Sequence, residues 1–511
     1  MRDCLTMEYT GALKAAFEGA LEFLHGIESC PVRAIESAAS LRERLDCGLA
    51  IEGSPAEDVV RDLIANVRGG LLRSQSDRFF AWVIGGAIPS AVAADWLAAA
   101  WDQNAAVYNT SPGAAIVEEI AGEWLKQIFR LPAHAAFAFV TGTQMAHVTC
   151  LASARNALLE RSGWNVESKG LNGAPAIRVI SSTRRHPSID RALRFLGLGT
   201  DALVLLEPGE NGTLDARDVA STLKSLDAGA IVLLQAGEIN TGAFDDFRTL
   251  TALAHQYRAW VHVDGAFGLW AAASPRFAHL TAGIEQADSW TADGHKWLNV
   301  PFDCGYAFVA DARAHRSAMS IRAPYIVPSD DARDPLDWNP DWSRRARGFA
   351  TYAAIRELGT RGIAELVERN CDSTRNLYER LTRLEGVEGT SSPVLNQALV
   401  RFLAPRPGAT AGEHDRYTDR VIAAVVESGD AYFGATTFCG ARAMRISVCN
   451  WRTGTNAVDR AVGAVERALQ CAHLRNRRSQ TCPSIPQGGS IPHHDDVNTP
   501  FDSSGWFDTS P

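Results

Sequence analysis

Short apolar segments alternate with amphipathic segments through the middle of the chain. The apolar segments are AAFAFVTG (135–142), PAIRVISS (175–182), DALVLLEP (201–208), AIVLLQAG (230–237) and WVHVDGAFG (260–268). The segments between them space their apolar residues as one face of a helix does. Strand and helix in repetition predict a mostly parallel sheet with helices on both faces. Ligands of such sheets bind where the strands end.

The pattern changes on both sides of this region. Residues 11–75 read as amphipathic helices, interrupted near Cys30 and Glu52, that have no core of their own. A helix at about 349–383 leads into a second α+β unit, and the last residues are rich in Ser, Pro, Gly and Asp, a composition typical of disorder. We therefore expect an N-terminal helical arm, a large domain, a small C-terminal domain and a disordered tail, over residues 1–78, 79–345, 346–475 and 476–511.

Composition excludes several classes of protein. The apolar stretch 81–101 is nearly long enough to span a bilayer, but it holds Pro89, Asp95 and the Gly85–Gly86 pair, which predict a turn followed by a buried helix. The net charge of -9 and the lack of a basic run interleaved with aromatic residues argue against a nucleic-acid partner. The ten cysteines form no CxxC pair, and the first residues do not read as a signal peptide, so we expect a cytoplasmic protein with free thiols.

Polar residues lie where several of the predicted strands end. Residues 141–143, Thr-Gly-Thr, stand between a strand and a helix, where amides and hydroxyls suit a phosphate, although ordinary helix capping is the commoner explanation. His186 precedes a proline that begins a helix, and a capping or surface role is again the commoner explanation. Glu238, Asn240 and Thr241 follow a third strand, and turn chemistry alone accounts for them.

Two charged side chains lie at the remaining strand ends. Asp264 ends a strongly apolar strand, where a carboxylate needs a partner or else caps the next turn. Lys296 lies 32 residues later in an aromatic stretch, where a lysine more often extends its ammonium to water. The residues between them suffice for one crossover and a further strand, so both side chains approach one edge of the sheet. Pyridoxal phosphate requires such a set, because the lysine binds its aldehyde, the aspartate keeps its pyridine nitrogen protonated, and helix amides hold its phosphate.

The chain resembles the pyridoxal-phosphate-dependent group II amino acid decarboxylases over roughly residues 15–470. The segment HKWLNVPFDCG (295–305) is similar to the family's His-Lys-Trp motif, and VHVDGAFG (261–268) is similar to its Val-Asp-Ala-Ala segment, with Gly265 in place of the first Ala. The resemblance implies a fold-type-I α/β enzyme. Its mostly parallel or mixed seven-stranded sheet is flanked by helices and joined by the helical arm and a small α+β domain.

The resemblance also implies which residues bind pyridoxal phosphate. Lys296 carries the cofactor, Asp264 faces the ring nitrogen, and Ala266 and His186 lie against the two faces of the ring. Residues 142–144 meet the phosphate. The full set of implied contacts is Lys296, Asp264, Ala266, His186, Gly142, Thr143, Gln144, Asn240 and His295. Asn240 is our expectation for the third strand-end loop, because the Thr-Thr of many family members is replaced there.

Further residues are assigned by the same likeness. Tyr325 lies 29 residues after Lys296, on the polar loop 322–348, and matches the family's catalytic-loop tyrosine, so it is the candidate proton donor, with a simple loop anchor as the alternative. The candidate catalytic residues are Lys296, His186, Tyr325 and His295. The candidate substrate-pocket residues, from two segments that resemble the family's substrate entrance, are Phe80, Trp82, Tyr108 and Asn109. The sequence predicts no metal site.

The resemblance implies decarboxylation of an L-amino acid to the amine and carbon dioxide by a homodimer, and from the composition we expect no nucleic-acid or membrane partner. A different reaction of the same cofactor is the first alternative, because the fold does not decide the reaction. Aldehyde-forming decarboxylation or oxidation, transamination and carbon–carbon cleavage belong to this alternative. An inactive scaffold that binds the cofactor is a third reading, and intact Lys296, Asp264, His186 and Tyr325 argue against it. An aromatic pocket admits aromatic substrates without excluding acidic or aliphatic ones.

Overall fold

The computed structural model describes residues 2–209, 211–321 and 332–479, with side chains between residues 9 and 471. The α-helices are α1 (Arg2–His25), α2 (Ala38–Leu45), α3 (Ala56–Val67), α4 (Pro89–Trp101), α5 (Pro112–Phe129), α6 (Thr143–Arg161), α7 (Val166–Lys169), α8 (Ser188–Phe195), α9 (Ala216–Ser225), α10 (Phe247–Gln256), α11 (Ala312–Met319), α12 (Gly348–Thr382), α13 (Ala411–Ser428) and α14 (Thr455–Ser479). The strands of the large sheet are β1 (Ala136–Val140), β2 (Ile177–Ser182), β3 (Leu203–Leu206), β4 (Gly229–Gln235), β5 (Trp260–Asp264), β6 (Ser289–Asp293) and β7 (Gly305–Val309).

The seven strands pair in the order β1-β7-β6-β5-β4-β2-β3. Strands β6, β5, β4, β2 and β3 run parallel, while β7 is antiparallel to both of its neighbours. The prediction of a mostly parallel, mixed seven-stranded sheet flanked by helices is therefore confirmed. Since β5 and β6 are adjacent, Asp264 and the residues just after β6 lie at the same edge of the sheet.

Both faces of the sheet are buried because alternate residues of each strand point to opposite sides. In β1, Phe137 and Phe139 enter the core that α5, α10 and α12 cover, whereas Ala138 and Val140 enter the core that α6, α8 and α11 cover. The near-continuous apolar character of these strands follows from this double burial. None of the described helices is both long and apolar enough to cross a bilayer.

The small domain is built on a second, antiparallel sheet. Its strands are β8 (Val387–Ser391), β9 (Gln397–Phe402), β10 (Gly434–Phe438) and β11 (Ala441–Ser447), paired in the order β10-β11-β9-β8. Helices α13 and α14 and the last turns of α12 bury their apolar residues against it. The helix predicted at about 349–383 matches α12, except for a break at Gly359, where φ is 60° and ψ is 176°. Only glycine adopts that conformation readily.

The N-terminal arm packs partly on itself, through α1 and α3. No residue of α2 or α3 is buried. Helix α4 follows a turn, as predicted, but the expectation that it is buried holds only for Ala91 and Ala98, and its two tryptophans are exposed in the single chain. The prediction of a disordered tail was wrong for residues 476–479, which continue α14, and the rest of the predicted tail lies outside the described residues.

Arg78 joins the arm to the small domain. Its fully buried guanidinium donates to the carbonyl oxygens of Ile27, Glu28 and Cys30 in the arm and of Gly429 and Asp430 after α13. A planar group with five N–H donors is suited to several carbonyls at once. Arg78 therefore supplies five hydrogen bonds at this junction, to which Arg33 and Arg460 add bonds to Glu427 and Glu28.

We expect Arg78→Met to lower the free energy of unfolding by about 3 kcal/mol, because buried carbonyls lose their donor while the side-chain length is kept. Arg460→Met is the matched control, since exposed Arg460 donates to the same Glu28 carbonyl at 2.9 Å. The midpoints of thermal unfolding of both variants and the wild type test this expectation. Equal midpoints for the two variants would contradict it.

Candidate active site

A cavity of about 740 Å³ opens at the carboxyl ends of β4, β5 and β6, where the first turns of α6 and α8 and the small sheet meet. Its size is that of a typical small-molecule site. The lining residues are Trp82, Thr141, Gly142, Thr143, Gln144, His186, Pro187, Ser188, Arg191, Gln235, Gly237, Ile239, Asn240, Asp264, Ala266, Phe267, Asp293, His295, Lys296, Thr436 and Arg445. The lining therefore includes every residue that the sequence predicted to contact a cofactor.

Lys296 lies in a single π-helical turn, Gly294–Leu298, directly after β6. Its side chain is only 18% exposed, and its Nζ lies 3.3 Å from Asp293 Oδ2 and 5.9 Å from the centre of the Phe267 ring. Such π-turns occur often at functional sites. The amine is therefore partly enclosed, faces the cavity and has a carboxylate partner.

Asn299 fixes the turn that carries Lys296. Its buried side-chain oxygen accepts hydrogen bonds from the Gly86 N–H at 2.8 Å and the Trp451 N–H at 2.9 Å. Its amide nitrogen donates to the carbonyls of Trp297 at 2.7 Å and Cys449 at 2.9 Å. One side chain thus connects the lysine turn, the segment before α4 and the segment after β11.

Asp293 ends β6 and was not identified from the sequence. Its Oδ1 accepts the Thr143 N–H at 2.6 Å, and its Oδ2 lies 3.3 Å from Lys296 Nζ and 3.6 Å from His295 Nε2. The start of α6, which was expected to offer its amides to a phosphate, therefore already has one amide bonded to a carboxylate. A carboxylate at the end of an apolar strand was the signal that identified Asp264, and the same signal was available here.

Asp264 ends β5 and is almost fully buried. Its Oδ1 accepts the Ala266 N–H at 3.2 Å, and its Oδ2 lies 3.5 Å from His147 Nε2. Burial alone would raise the pKa of this carboxyl, but His147 and, more weakly, His186 and Lys296 hold the pKa below its ordinary value. The carboxylate therefore stays ionised at neutral pH.

His147 and His262 were also missed. Both rings are fully buried, and His147 Nδ1 lies 2.9 Å from His262 Nε2. Each stands in an apolar segment, His147 in α6 and His262 in β5, where a lone histidine is usually part of the core. Only the strand pairing and the position of α6 reveal that the two rings line up behind Asp264.

His186 and His295 lie at the cavity as predicted, in different settings. His186 stands just before α8, and its Nδ1 is 2.7 Å from Ser188 Oγ and accepts the Ser188 N–H at 3.2 Å. The His295 ring stacks on Phe302 at 4.4 Å, and its Nδ1 accepts the Cys304 N–H at 3.3 Å. Burial lowers the pKa of His295, so the ring is neutral, with its remaining hydrogen on Nε2 toward Asp293.

The loop after β4 is held by its own polar residues. The buried carboxylate of Glu238 accepts hydrogen bonds from the backbone and side chains of Asn240 and Thr241. Asn240 Oδ1 in turn accepts from Thr436 Oγ1 of β10 at 3.1 Å. Turn chemistry therefore explains Glu238 and Thr241, while Asn240 also lines the cavity.

Of the four candidate pocket residues, only Trp82 lines the cavity of the single chain. Phe80 is fully buried in the small-domain core, where its ring stacks on Phe433 at 5.0 Å, so it is unavailable to a substrate. Tyr108 and Asn109 form a 3₁₀ turn elsewhere, and the Tyr108 N–H donates to Asp334 Oδ1 at 2.9 Å. The candidate proton donor, Tyr325, lies outside the described residues.

Trp82 and Arg445 give the cavity its aromatic and cationic surfaces. Trp82 is half exposed, has a left-handed φ of 55°, and packs against Tyr432 at 5.5 Å. Such a backbone is uncommon for a bulky residue and is often a feature of functional sites. Arg445, from β11, was not identified from the sequence. Burial lowers the pKa of its guanidinium, and the negative charge of Glu238 opposes this lowering. The Nε of Arg445 has no hydrogen-bond partner. The fold of the small domain brings this cation to the cavity.

Comparison with known proteins relates this geometry to one family. The model of the pyridoxal-dependent decarboxylase conserved domain matches residues 39–400. An L-2,4-diaminobutyrate decarboxylase from Rhizobium meliloti (strain 1021) is 28% identical over 76% of this chain and 77% of its own length. A phenylacetaldehyde synthase from Petunia hybrida is 24% identical over 84% of this chain and 87% of its own length.

A solved structure shares the fold. The crystal structure of Oryza sativa TDC with PLP and tryptamine superposes with a TM-score of 0.84 at 22% sequence identity, covering 92% of this chain and 98% of that one. The likeness covers nearly the whole of both chains. It concerns the fold, since the identity is low.

We expect Gly85→Ala to displace the lysine turn. A Cβ at position 85 would overlap the carbonyl oxygen of Lys296, and backbone cannot give way as a flexible side chain can. Gly113→Ala is the control, since a Cβ there meets nothing within 4 Å. The content of bound pyridoxal phosphate and the thermal unfolding midpoint should both fall for Gly85→Ala alone. A fully loaded, equally stable Gly85→Ala protein would contradict the close packing described here.

Proposed function

The chain belongs to the pyridoxal-dependent decarboxylase family, and we propose that its cavity uses pyridoxal phosphate to convert an L-amino acid to the corresponding amine and carbon dioxide. The observation that carries the proposal is the placement of Lys296 and Asp264 at neighbouring strand ends of one cavity. When bound, the cofactor supplies an electron sink for the charge that the departing carbon dioxide leaves behind. The residues of this chain must hold that cofactor, orient the substrate and deliver a proton.

The described side chains fit the cofactor at both of its ends. Lys296 would hold it covalently through its amine. Thr143 has a buried hydroxyl without a hydrogen-bond partner at the start of α6, which is the kind of donor that a phosphate would satisfy. Gly142 and Gln144 adjoin it in the lining, and neutral His295 is close by. The negative charge of Asp293 opposes a phosphate there, and its contact with Lys296 compensates part of that charge.

The ring end would be held by Asp264, Ala266 and His186. The ionised carboxylate of Asp264 would accept a hydrogen bond from the pyridine nitrogen and keep it protonated. His186 and Ala266 would lie against the two faces of the ring, and Asn240, fixed by Glu238 and Thr436, would contact its edge. All of these groups lie on β4, β5 or α8 or in the turns beside them, so the ring position would be set by the large sheet.

The substrate would meet Arg445 and Trp82. A guanidinium with an unpaired Nε in the cavity lining suits the substrate carboxylate. The ring of Trp82 offers an apolar surface to the substrate side chain. Tyr325 remains our candidate for returning a proton to the substrate carbon, from the loop that begins after Ile321.

We also propose that the enzyme is a cytoplasmic homodimer. Tyr9, Leu13 and Phe17 of α1, with Trp96 and Trp101 of α4, are exposed in the single chain. Large apolar residues in such number are typical of an interface. The described cysteines are all free thiols, as a reducing compartment favours.

Aldehyde formation is the second candidate, because a relative from Petunia hybrida is named a phenylacetaldehyde synthase. In that reaction the substrate carbon is oxidised by dioxygen rather than protonated. Amine formation requires a proton donor at the substrate carbon, and aldehyde formation does not. Whether this chain places a proton donor there therefore decides which product it forms.

Lys296→Ala should abolish decarboxylation and the borohydride-reducible attachment of pyridoxal phosphate, because no other lysine lies in the described lining of the cavity. Lys224→Ala, on the surface of α9, is the control and should retain both. Carbon dioxide release from a panel of L-amino acids, with mass spectrometry of the reduced protein, measures the two properties. A reduced adduct on another lysine of the Lys296→Ala protein would show that Lys296 is misassigned.

Tyr325→Phe should lower the yield of amine far more than it lowers substrate binding, because the carbon left by carbon dioxide loses its proton source. The ratio of amine to aldehyde among the products, compared with wild type, is the measurement. Tyr257→Phe is the control, since Tyr257 lies at the exposed end of α10. An unchanged ratio and an unchanged rate would transfer the role of proton donor to His186 or His295.

A further inference from the structure

A row of buried polar side chains extends from Asp264 away from the cavity. Behind the 3.5 Å contact of Asp264 Oδ2 with His147 Nε2, His147 Nδ1 lies 2.9 Å from His262 Nε2. His262 Nδ1 then lies 2.9 Å from Ser289 Oγ, which also accepts the indole N–H of Trp260 at 2.8 Å. These four side chains are at most 1% exposed, so water does not take part in their contacts.

The ends of this row determine where its hydrogens lie. His147 Nε2 lies 3.5 Å from Asp264 Oδ2 and forms no other hydrogen bond, and because the ionised carboxylate can only accept, a hydrogen on this nitrogen is the arrangement that avoids repulsion between the two atoms. A neutral His147 then has a bare Nδ1, so His262 donates to it from Nε2. A neutral His262 in turn has a bare Nδ1 and accepts from the Ser289 hydroxyl, whose oxygen still accepts from Trp260. With both rings neutral, every contact in the row therefore contains one donor and one acceptor.

A neutral ring at His262 is also what its surroundings favour. Burial lowers the pKa of His262 well below its ordinary value. A positive His147 would compete with a protonated pyridine nitrogen for the same carboxylate, and one of the two buried cations would remain uncompensated. A neutral donor orients the carboxylate of Asp264 and leaves its negative charge uncompensated. A lysine or an arginine at the same place would cancel that charge.

We propose that His147 is a positioning residue for the cofactor, which fixes Asp264 Oδ2 through a neutral hydrogen-bond relay anchored at Trp260. The proposal rests on the function proposed above, in which Asp264 faces the pyridine nitrogen. The relay leaves the full negative charge of Asp264 for that nitrogen and so maintains the electron sink. Because His147 follows Thr143 by four residues on α6, one face of one helix turn supports both ends of the cofactor.

A role limited to core packing makes a different prediction. Loss of a buried histidine would then lower stability and leave the protonation of the cofactor unchanged. His315 is the matched control for this possibility, because it is fully buried, lies outside the cavity lining and pairs with the Trp338 carbonyl at 2.8 Å. His315→Leu should destabilise the protein without changing the cofactor.

The first measurement uses the wild-type holoenzyme with ¹⁵N-labelled histidine. We expect the two ring signals that disappear in His147→Gln and His262→Gln to be those of neutral rings with hydrogen on Nε2. An imidazolium at His147, or hydrogen on Nδ1 of either neutral ring, would overturn the proposal. The test reads the rings of the wild-type protein, and the two variants serve only to assign its signals.

The second measurement uses pyridoxal phosphate labelled with ¹⁵N in its ring. The wild-type signal should be that of a pyridinium, and Asp264→Asn and His147→Leu should both move it toward neutral pyridine. His147→Leu should also lower kcat about tenfold with little change in KM, the effect of about one charge-assisted hydrogen bond. His147→Gln should restore most of both properties, since its amide can donate to Asp264 and accept from His262.

The outcomes separate this inference from the proposed function. A wild-type signal and wild-type kcat in the His147→Leu holoenzyme, with a shifted signal in Asp264→Asn, would overturn the relay and leave the function standing. A wild-type protein that takes up no pyridoxal phosphate would refute the function itself. An unshifted signal in Asp264→Asn would refute the role of Asp264, and the inference with it.

Discussion

Four hydrogen bonds to one buried amide, that of Asn299, hold together the three parts of the chain that form the site. The lysine turn, the segment before α4 and the segment after β11 come from distant parts of the sequence. The Trp297 indole adds a bond to Asn370 of α12 at 2.9 Å. Because buried amide groups are costly to leave unpaired, these contacts form together or not at all. The position of Lys296 therefore depends on the complete tertiary fold.

Two carboxylates at neighbouring strand ends then determine the electrostatics of the cavity. Asp293 ends β6 and meets the start of α6 and the Lys296 amine, whereas Asp264 ends β5 and meets His147. Both are buried, and both depend on α6 for a donor. Helix α6 is thus more than a cover for the sheet, since its first two turns supply the groups that make two buried negative charges tolerable.

The sequence predicted the parts that depend on local pattern. Runs such as AIVLLQAG become strands because alternate residues enter two cores, and Asp264 and Lys296 are found together because parallel strands end at one edge. His147 and Arg445 were missed since their importance comes from partners distant in sequence, whereas Asp293 carries the same strand-end signal as Asp264. Phe80 was misplaced for the same reason: its aromatic segment resembles an entrance, but backbone hydrogen bonds to Tyr432 and Ser447 place that side chain in the small-domain core.

One helix crosses the boundary between the two domains. After the break at Gly359, α12 continues from Ile363, in the core of the large domain, to Leu381, in the core of the small one. At 1.5 Å per residue this is a rod of about 27 Å fastened at both ends. The segment from Ile363 to Leu381 has no internal break, so it holds the two cores at a fixed spacing along its length and makes the walls of the cavity that come from the two domains a single frame.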